Sequence, residues 1–388
     1  MRSLHVAAMP FPSVQGTQGA VRAMVDAEHE AGRGPELLTY AHGGFELVSP
    51  WPHHRIADLT RDRSLRSGPS VRKVVEDAQL AVAARGHVAR MKPDWVISHH
   101  VEATAACLAA RLSPVLFVAH TALEPELPSY LPPRASGLAV RIASRVGGAL
   151  DVALARRADA VAAVSPWLAS HLASRTEREV TALPIPWPVP ARTAHEDREK
   201  ARSRLMIDAA APVILYAGNL DAYQGLDVLV KGFVEVRARR PETRLLIATE
   251  SAHDELEQSL WSAGQADAVI FAPLADEPDR RLVHAAADVV WVPRHTPGGL
   301  PIKLLDAMAR GVPTVASRAA TADLDLAGRV MLTDDADPDA FAAATVLALE
   351  GRASARAVGE EGRRYIAEHH SPARFLEVLD GTVHTSSS

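Results

Sequence analysis

The sequence is poor in cysteine and in long apolar runs. Cys107 is the only cysteine among 388 residues, so no internal disulfide can form, as is typical of a reducing compartment. Its alanine-rich surroundings predict a packed position on a buried helix face. The longest apolar stretch, around residues 115–120, is too short to cross a bilayer. We interpret the apolar N-terminal residues as a first strand rather than a signal peptide and expect a soluble, cytoplasmic protein.

An excess of basic charge is also missing. The formal net charge is -5 at pH 7 and the pI is about 6.4, which argues against a general nucleic-acid-binding protein. Hydrophobic residues make up 47% of the chain, enough for a buried core, and the length favours two or three domains.

Short apolar runs alternate with longer helical patterns, which indicates repeated βα units and parallel sheets. In the first half we predict strands at 4–9, 36–40, 94–98, 115–120, 160–164 and 180–183, and helices at 19–31, 70–91, 102–112 and 138–157. In the second half we predict strands at 213–217, 244–249, 268–272, 289–292, 314–316 and 330–332. The helices predicted there are 194–206, 226–239, 254–263, 277–286, 302–310, 338–349, 353–368 and 372–380.

A proline-rich segment separates the two halves. Residues 184–190 contain four prolines, which prevent a helix and favour a stiff connector. We therefore predict an α/β fold of two tandem doubly wound, Rossmann-like domains facing a cleft. The N-terminal domain spans residues 1–187 and the C-terminal domain 188–370. Within residues 371–388 we expect a helix that packs back toward the N-terminal domain, followed by a disordered tail at 384–388.

Ligands of such sheets bind at the carboxyl ends of the strands, so the loops there are candidate sites. The loop after the predicted strand 289–292 contains Gly298 and Gly299 and leads into a helix with Lys303 and Asp306. Glycine allows the backbone to approach a ligand closely, and amides at a helix start attract anions. Taken alone, this loop can also be interpreted as an ordinary turn followed by a solvated lysine and aspartate, without a bound anion.

A second glycine loop follows the predicted strand 213–217. Gly218 and Gly225 enclose Asn219 and Gln224, whose side-chain amides can donate hydrogen bonds to anionic oxygens. An ordinary polar turn is the alternative here as well. Two such loops at strand ends of one sheet fit a diphosphate.

In the first half, Gly16 lies in a loop that lacks a full dinucleotide fingerprint, and no suitable acidic residue ends the second strand, which weakens an oxidoreductase interpretation. Gly16 then belongs either to a flexible lip of the cleft or to a simple turn. The next two strand ends carry His99, His100, His120, Glu124 and Glu126. These side chains are expected to converge, and without a metal-binding signature they favour a polar acceptor pocket and no metal.

The order of these motifs resembles the GT-B fold glycosyltransferases of family four (glycosyl transferases group 1). The resemblance is carried by Gly218-Asn219-Leu220, Gln224-Gly225, residues 287–293, Gly298-Gly299-Leu300 and residues 306–313, and in the first half by residues 157–168 and Ala119-His120-Thr121. It implies a retaining, metal-independent enzyme without a cofactor. Its substrates would be a nucleoside diphosphate sugar, UDP-sugar before GDP-sugar, and a hydroxyl-bearing acceptor.

The resemblance also implies which residues act. His120 takes the place of the family's active-site histidine. The acceptor side comprises Gly16, His99, His100, Glu124 and Glu126. The donor side comprises Gly218, Asn219, Gln224, Pro273, Leu274, Arg294, His295, Gly298, Gly299, Leu300, Pro301, Lys303 and Asp306.

The sequence departs from the family pattern at the donor site, which places it in a divergent subgroup. Gly298 and Asp306 stand where the family has two glutamates, and Asn219 and Gln224 stand where it has an arginine and a lysine on the diphosphate. The nearby candidates to supply positive charge are then Lys303, Arg294 and His295, with the backbone amides around Gly299 and Leu300. A catalytically silent nucleotide-sugar-binding protein is one alternative, and an epimerase or phosphorylase of the same fold is another.

The expected partners are the nucleotide-sugar donor and a small-molecule, glycan or lipid acceptor, with no nucleic acid. A helical segment carries a row of arginines at positions 134, 141, 145, 156 and 157. We favour a solvated helix face over peripheral contact with an anionic membrane because an aromatic anchor is missing. The oligomeric state stays open.

Overall fold

Two units make up the chain, and each is built around a parallel sheet. The computed structural model describes residues 1–13, 16–44, 48–60, 71–132, 135–295, 298–334 and 336–385. The first unit comprises Met1–Pro186, Gly298–Leu300 and His370–Ser388, and the second comprises Trp187–Pro297 and Pro301–His369. Arg134 of the arginine row and positions 296 and 297 of the predicted glycine loop lie outside the described residues.

The first unit contains a seven-stranded sheet. Its strands are β1 (Ser3–Ala7), β2 (Glu36–Thr39), β3 (His53–Arg55), β4 (Trp95–His99), β5 (Val115–Ala119), β6 (Ala160–Ala163) and β7 (Thr181–Ala182). Its helices are α1 (Gly16–Glu30), α2 (Val71–Met91), α3 (His100–Ala109), α4 (Leu123–Glu126), α5 (Gly137–Arg157), α6 (Pro166–Thr176) and, at the end of the chain, α14 (Pro372–Thr385).

The second unit contains a six-stranded sheet. Its helices are α7 (His195–Arg204), α8 (Leu226–Arg239), α9 (Asp254–Ser262), α10 (Glu277–Ala286), α11 (Ile302–Ala309), α12 (Pro338–Glu350) and α13 (Arg352–His369). Its strands are β8 (Val213–Ala217), β9 (Arg244–Ala248), β10 (Val269–Ala272), β11 (Val289–Val292), β12 (Thr314–Ser317) and β13 (Met331–Thr333).

The strand order places a crevice at an equivalent point of each sheet. The first sheet has the order β3-β2-β1-β4-β5-β6-β7 and the second β10-β9-β8-β11-β12-β13. The order reverses at the β1/β4 pair and at the β8/β11 pair, and doubly wound sheets bind ligands beside such reversals. The loops after β1, β4, β8 and β11 are therefore the ones to inspect.

Burial of the central strands explains their apolar sequence. Every residue of β5 and of β11 is buried, as parallel strands with helices on both faces require. In the second unit, Trp291 of β11 packs edge-on against Phe341 with ring centroids 5.5 Å apart. Its indole donates a hydrogen bond of 2.7 Å to Thr345, so this large buried side chain has a polar partner.

Several predicted boundaries are wrong. Strand β3 was not predicted because its polar residues lack an apolar pattern, and it forms by parallel pairing with β2. Helix α6 was also missed, although Ser165 caps it by accepting from the Leu168 amide at 3.2 Å, with Pro166 in its first turn. Gly16 begins α1 rather than lying in a loop, and the predicted disordered tail is wrong at His384 and Thr385, which continue α14.

The C-terminal helix α14 packs against α1 of the first unit. Arg33, just after α1, donates to both carboxylate oxygens of Asp380 at 2.8 and 2.7 Å. No helix within the described ranges combines the length and apolar character needed to cross a membrane.

Candidate functional site

Lys303 occupies a central position at the carboxyl end of the second sheet. It lies in the first turn of α11, and its ammonium group donates to the Tyr216 hydroxyl and to the Gln224 side-chain oxygen, each at 2.9 Å. The ammonium nitrogen also lies 4.1 Å from the centroid of the Tyr216 ring, a favourable cation–π position. Lys303 is thus held beside the loop that follows β8.

The environment of Lys303 weakens its hold on a proton. Burial, and next the positive charge of Arg294, lower its pKa to about 7, while Asp221 acts in the opposite direction. Burial and the nearby guanidinium of Arg294 therefore leave the charge of this ammonium poorly compensated. An anion bound beside the ammonium supplies the missing charge interaction.

Asn219 and Gln224 bind one another. The Gln224 amide group donates to the Asn219 side-chain oxygen at 2.6 Å, and the Asn219 amide group donates to Asp221. We predicted both side chains as donors to an anion, but in the structure these amides orient each other and the lysine. A series of hydrogen bonds thus runs from Lys303 through both amides to Asp221.

Gly225 shapes the turn that presents this network. Its φ is +76°, and a Cβ atom there would lie 1.7 Å from the Pro293 carbonyl oxygen. Only glycine fits, because both the left-handed backbone and the close approach exclude a side chain. The loops after β8 and β11 consequently touch through their backbones.

Arg294 and His295 lie in the loop after β11. The guanidinium of Arg294 stacks 5.1 Å from the centroid of the Tyr223 ring. His295 is paired through Nε2 with Asp227 at 2.6 Å. His295 therefore serves a carboxylate of α8, whereas Arg294 lowers the pKa of Lys303.

Asp306 lies one turn after Lys303 and is buried. Its carboxylate accepts from Arg310 at 3.0 Å and lies 3.8 Å from the His284 Nε2 atom. Burial alone raises the pKa of this carboxyl, but the charges of His284 and Arg310 outweigh burial and keep the pKa below its usual range. The predicted role of Asp306 on a ribose stays a prediction, and the structure adds a partner in Arg310.

The remaining predicted donor residues lie in different environments. Leu274, after Pro273 and β10, donates its amide to the Glu250 carboxylate at 2.9 Å. Gly218 leads out of β8, and Pro301 immediately precedes α11. Gly298, Gly299 and Leu300 group with the first unit, where a Cβ on Gly299 would lie 2.0 Å from the His120 carbonyl oxygen.

In the first unit, histidines meet at the carboxyl ends of β4 and β5. His99 ends β4 and His120 follows β5, and the His99 Nδ1 atom lies 3.1 Å from the His120 Nε2 atom. Burial lowers the pKa of His120 to about 3, and it lowers that of His99 well below its ordinary value. Both imidazoles are therefore neutral at physiological pH.

His100 and Glu126 lie beside this pair. The His100 ring stacks on that of His120 at 6.1 Å between centroids. Thr121 lies 3.2 Å from the His100 Nε2 atom and donates to Glu126, which also accepts from the Tyr130 hydroxyl. The predicted convergence thus holds for the three histidines and, through Thr121, for Glu126.

Glu124 does not join them in the described part of the chain. Its carboxylate accepts from Arg175 at 2.6 Å and lies 3.1 Å from His171, and both partners belong to α6. The prediction failed here because α6 was not recognised. Glu124 is therefore the electrostatic partner of a neighbouring helix.

Two residues near the histidines were not predicted from sequence. His5 in β1 and Glu28 in α1 are fully buried and hydrogen-bonded to each other at 3.0 Å, and His5 continues to His99 at 2.9 Å. A histidine within the predicted apolar strand 4–9 was the available signal. A buried polar residue in such a strand needs a partner, which the sequence does not name.

Metal-binding geometry occurs elsewhere in the first unit. Over the residues that the structure describes, the group with suitable spacing is Glu36, His54 and His87, whose potential ligand atoms lie within 4.8 Å of one another. They belong to β2, β3 and α2, and none of them is among the residues predicted as a site.

Comparison with known proteins gives two family matches. Residues 211–350 match the family described as "Glycosyl transferases group 1", and residues 45–184 match "Glycosyltransferase Family 4". A D-inositol 3-phosphate glycosyltransferase of Segniliparus rotundus is 28% identical over 173 residues, 43% of this chain and 38% of the relative. A GDP-mannose-dependent alpha-(1-6)-phosphatidylinositol monomannoside mannosyltransferase of Mycolicibacterium smegmatis is 32% identical over 183 residues, 44% of this chain and 48% of the relative. The chain thus spans less than half the length of these curated relatives.

Solved structures resemble the whole chain. Sucrose-phosphate synthase from Thermosynechococcus elongatus has a TM-score of 0.78 at 19% identity and covers 100% of both chains. Anabaena Alr3699/HepE in complex with UDP-glucose has a TM-score of 0.76 at 17% identity, covering 99% of this chain and 100% of that one. These similarities confirm the predicted fold class, two tandem Rossmann-like domains of GT-B type.

Proposed function

Because the chain belongs to the family 4, group 1 glycosyltransferases, we propose that it transfers a sugar from a nucleoside diphosphate sugar to a hydroxyl-bearing acceptor. The transfer retains the anomeric configuration and uses no metal ion. The second unit binds the donor, and His120 of the first unit orients the transferred sugar.

The contact between Lys303 and Gln224 carries this proposal. Gln224 stands where the family resemblance implies a diphosphate-binding lysine, and the Lys303 ammonium lies 2.9 Å from its side-chain oxygen. A cation from α11 therefore takes up the position of the charge missing from the loop. This arrangement supports diphosphate binding by a rearranged set of residues.

The chemistry follows from the charge that develops on the leaving group. As the sugar–oxygen bond breaks, the diphosphate gains negative charge, and a preorganised cation stabilises it most effectively where water is scarce. Lys303 supplies such a cation once the diphosphate is bound, because the negative charge of the diphosphate raises the lysine pKa and keeps the ammonium protonated. In front-face attack, the leaving phosphate oxygen accepts the proton of the acceptor hydroxyl, so no separate protein nucleophile is required.

The donor base is the least constrained part of the proposal. We place UDP-sugars first. The relative from Mycolicibacterium smegmatis is named GDP-mannose-dependent, and the Anabaena protein was solved with UDP-glucose. Both bases therefore belong in the test, with Asp306 as the ribose-binding residue in either case.

The test is a binding screen followed by product analysis. Calorimetry against UDP-, GDP-, ADP- and TDP-sugars identifies the donor, and NMR of the product formed with candidate acceptors gives its anomeric configuration. We expect retention and full activity in EDTA. Binding without transfer or hydrolysis would indicate a silent binder, and turnover without an acceptor alcohol would indicate an epimerase or phosphorylase.

The role of His120 is tested by His120→Ala. We expect the transfer rate to fall about 100-fold, because loss of an orienting hydrogen bond leaves the sugar mispositioned. His195→Ala is the control because His195 is exposed on α7 of the second unit. An unchanged rate in His120→Ala would remove this residue from the mechanism.

We further propose that the acceptor lies at a lipid surface. Helix α5 exposes an apolar row at four-residue spacing, Leu138, Ile142, Val146 and Leu150, flanked by the exposed Arg141 and Arg145. Such a face is typical of a helix that lies at an anionic membrane interface. We therefore prefer this interpretation to the solvated helix face that we favoured from sequence. The name of the similar mannosyltransferase from Mycolicibacterium smegmatis includes phosphatidylinositol, which supports a lipid acceptor.

Liposome co-sedimentation distinguishes these alternatives. The protein is expected to bind vesicles that contain phosphatidylinositol, and Ile142→Glu is expected to abolish most of that binding. Leu347→Glu is the control, since Leu347 is an apolar side chain of the second unit that is even more exposed than Ile142. Equal vesicle binding by the parent protein and the Ile142 variant would favour the solvated helix.

A further inference from the structure

A continuous hydrogen-bonded chain of buried side chains leads to His120. The Glu28 Oε1 atom lies 3.0 Å from the His5 Nε2 atom, and the His5 Nδ1 atom lies 2.9 Å from the His99 Nε2 atom. The His99 Nδ1 atom then lies 3.1 Å from the His120 Nε2 atom. The chain runs from α1 across β1 and β4 to the end of β5.

Because every member of this chain is buried, its polar atoms must form hydrogen bonds with neighbouring protein groups. His5, His99 and Glu28 are 0% exposed and His120 is 4% exposed. At its far end, the second oxygen of Glu28 accepts from the Ser3 hydroxyl at 2.6 Å, so both carboxylate oxygens have donors. A neutral imidazole has one donor and one acceptor nitrogen, and an ionised carboxylate only accepts.

With Glu28 ionised and all three imidazoles neutral, these rules fix the direction of each hydrogen bond. Because Glu28 accepts, His5 donates from Nε2 and its Nδ1 atom becomes an acceptor. His99 must then donate from Nε2 to His5, which makes its own Nδ1 atom an acceptor for His120. The proton of His120 therefore lies on Nε2, and its Nδ1 atom carries a lone pair at the end of the chain.

We propose that Glu28, His5 and His99 are positioning residues that hold His120 in the tautomer with a protonated Nε2 atom, so that Nδ1 accepts a hydrogen bond from a sugar hydroxyl. The use of Nδ1 rests on the proposed function, whereas the tautomer does not. The lowered pKa values of His99 and His120 agree with neutral rings. A carboxylate in α1 thus sets, across β1 and β4, the hydrogen-bonding polarity of a residue at the end of β5.

Long-range ¹H–¹⁵N NMR of the histidine-labelled full chain tests the tautomer without any ligand. Signals are assigned by their loss in His5→Gln, His99→Gln and His120→Gln. At pH 7 we expect all three rings to show a protonated Nε2 and an unprotonated Nδ1. A protonated Nδ1 on His120, or averaging between tautomers, would overturn the proposal whether or not the protein transfers sugar.

Glu28→Leu tests the origin of the polarity. Without the carboxylate, His120 is expected to populate both tautomers, and the turnover number is expected to fall about tenfold or more, because an orienting partner is lost. Affinity for a nucleoside diphosphate, bound by the second unit, should stay within about twofold. A single unchanged tautomer in a folded Glu28→Leu protein would contradict the proposal.

Ser3→Ala is the matched control. It removes the other hydrogen bond to Glu28 and leaves the histidine chain intact. The tautomer of His120 should be the same as in the parent protein. A loss of tautomer preference in Ser3→Ala equal to that in Glu28→Leu would mean that local packing, and not the carboxylate, sets the polarity.

Discussion

The Lys303 ammonium lies 2.9 Å from the Gln224 side-chain oxygen, although 79 residues separate the two in sequence. Gln224 donates onward to Asn219, so a helix residue and a loop residue form one polar network. This contact gives the diphosphate site of the proposed enzyme a cation that the loop itself lacks.

Replacing Lys303 should weaken nucleoside diphosphate binding. Lys303→Met is expected to raise the dissociation constant about 10- to 100-fold, because a charge-assisted hydrogen bond contributes about 1.5–3 kcal/mol. Calorimetry measures the change. Lys231→Met is the control, since Lys231 is an exposed lysine of α8. Equal affinities of the Lys303 variant and the parent protein would rule out the phosphate role.

The same lysine predicts how binding depends on pH. Its pKa is about 7 in the free protein, and a bound diphosphate raises it, so binding takes up a proton. Affinity for a nucleotide sugar is then constant below about pH 7 and falls as the pH rises above that value. Calorimetry in buffers of different ionisation enthalpy detects the proton, and Lys303→Arg should remove the dependence. A flat profile for the parent protein would refute the assignment.

Two left-handed glycines provide a matched pair for stability. Gly225 has a φ of +76° and Gly264 a φ of +72°, but only Gly225 has an atom within 4 Å of the added Cβ position. Gly264→Ala should lower the free energy of unfolding by about 1 kcal/mol, the cost of the backbone alone. Gly225→Ala should cost about 3 kcal/mol or more because the Pro293 carbonyl must move. Urea unfolding measures the free energy of unfolding of both variants. Equal losses of stability would contradict a steric clash between the added Cβ at position 225 and the Pro293 carbonyl.

Asp306→Asn separates ribose binding from a structural role. If Asp306 binds a ribose, the variant should bind a nucleoside diphosphate about tenfold more weakly while its affinity for inorganic pyrophosphate stays the same. If Asp306 only anchors Arg310, the melting temperature should fall and both affinities should change together. Calorimetry with the two ligands, alongside thermal unfolding, makes the comparison.

Much of the fold was predictable because its signals are local. Strands β8 and β11 and helices α8 and α10 have the predicted bounds, since apolar runs and helical periodicity are read within a few residues. Strand β3 was not predictable in this way. Its sequence is polar, and it exists because β2 offers it backbone hydrogen bonds.

The candidate site was predictable in composition but not in its contacts. The sequence indicated Asn219, Gln224 and Lys303 as members of a phosphate site, and it indicated His99, His100 and His120 as neighbours. It did not indicate that Gln224 would accept a hydrogen bond from Lys303 or that Glu124 would pair with side chains of α6. These pairings depend on which elements pack together, and packing joins residues far apart in the chain.

By itself, the sequence determined the alternation of strands and helices, the glycine turns and the family, because each depends on residues close together or in fixed order. The tertiary structure decided which polar groups meet. His5 and His99 are 94 residues apart and yet share a hydrogen bond, because parallel pairing places β1 beside β4. A buried polar group must be satisfied by whatever the fold brings to it, so its partner is a property of the packed chain.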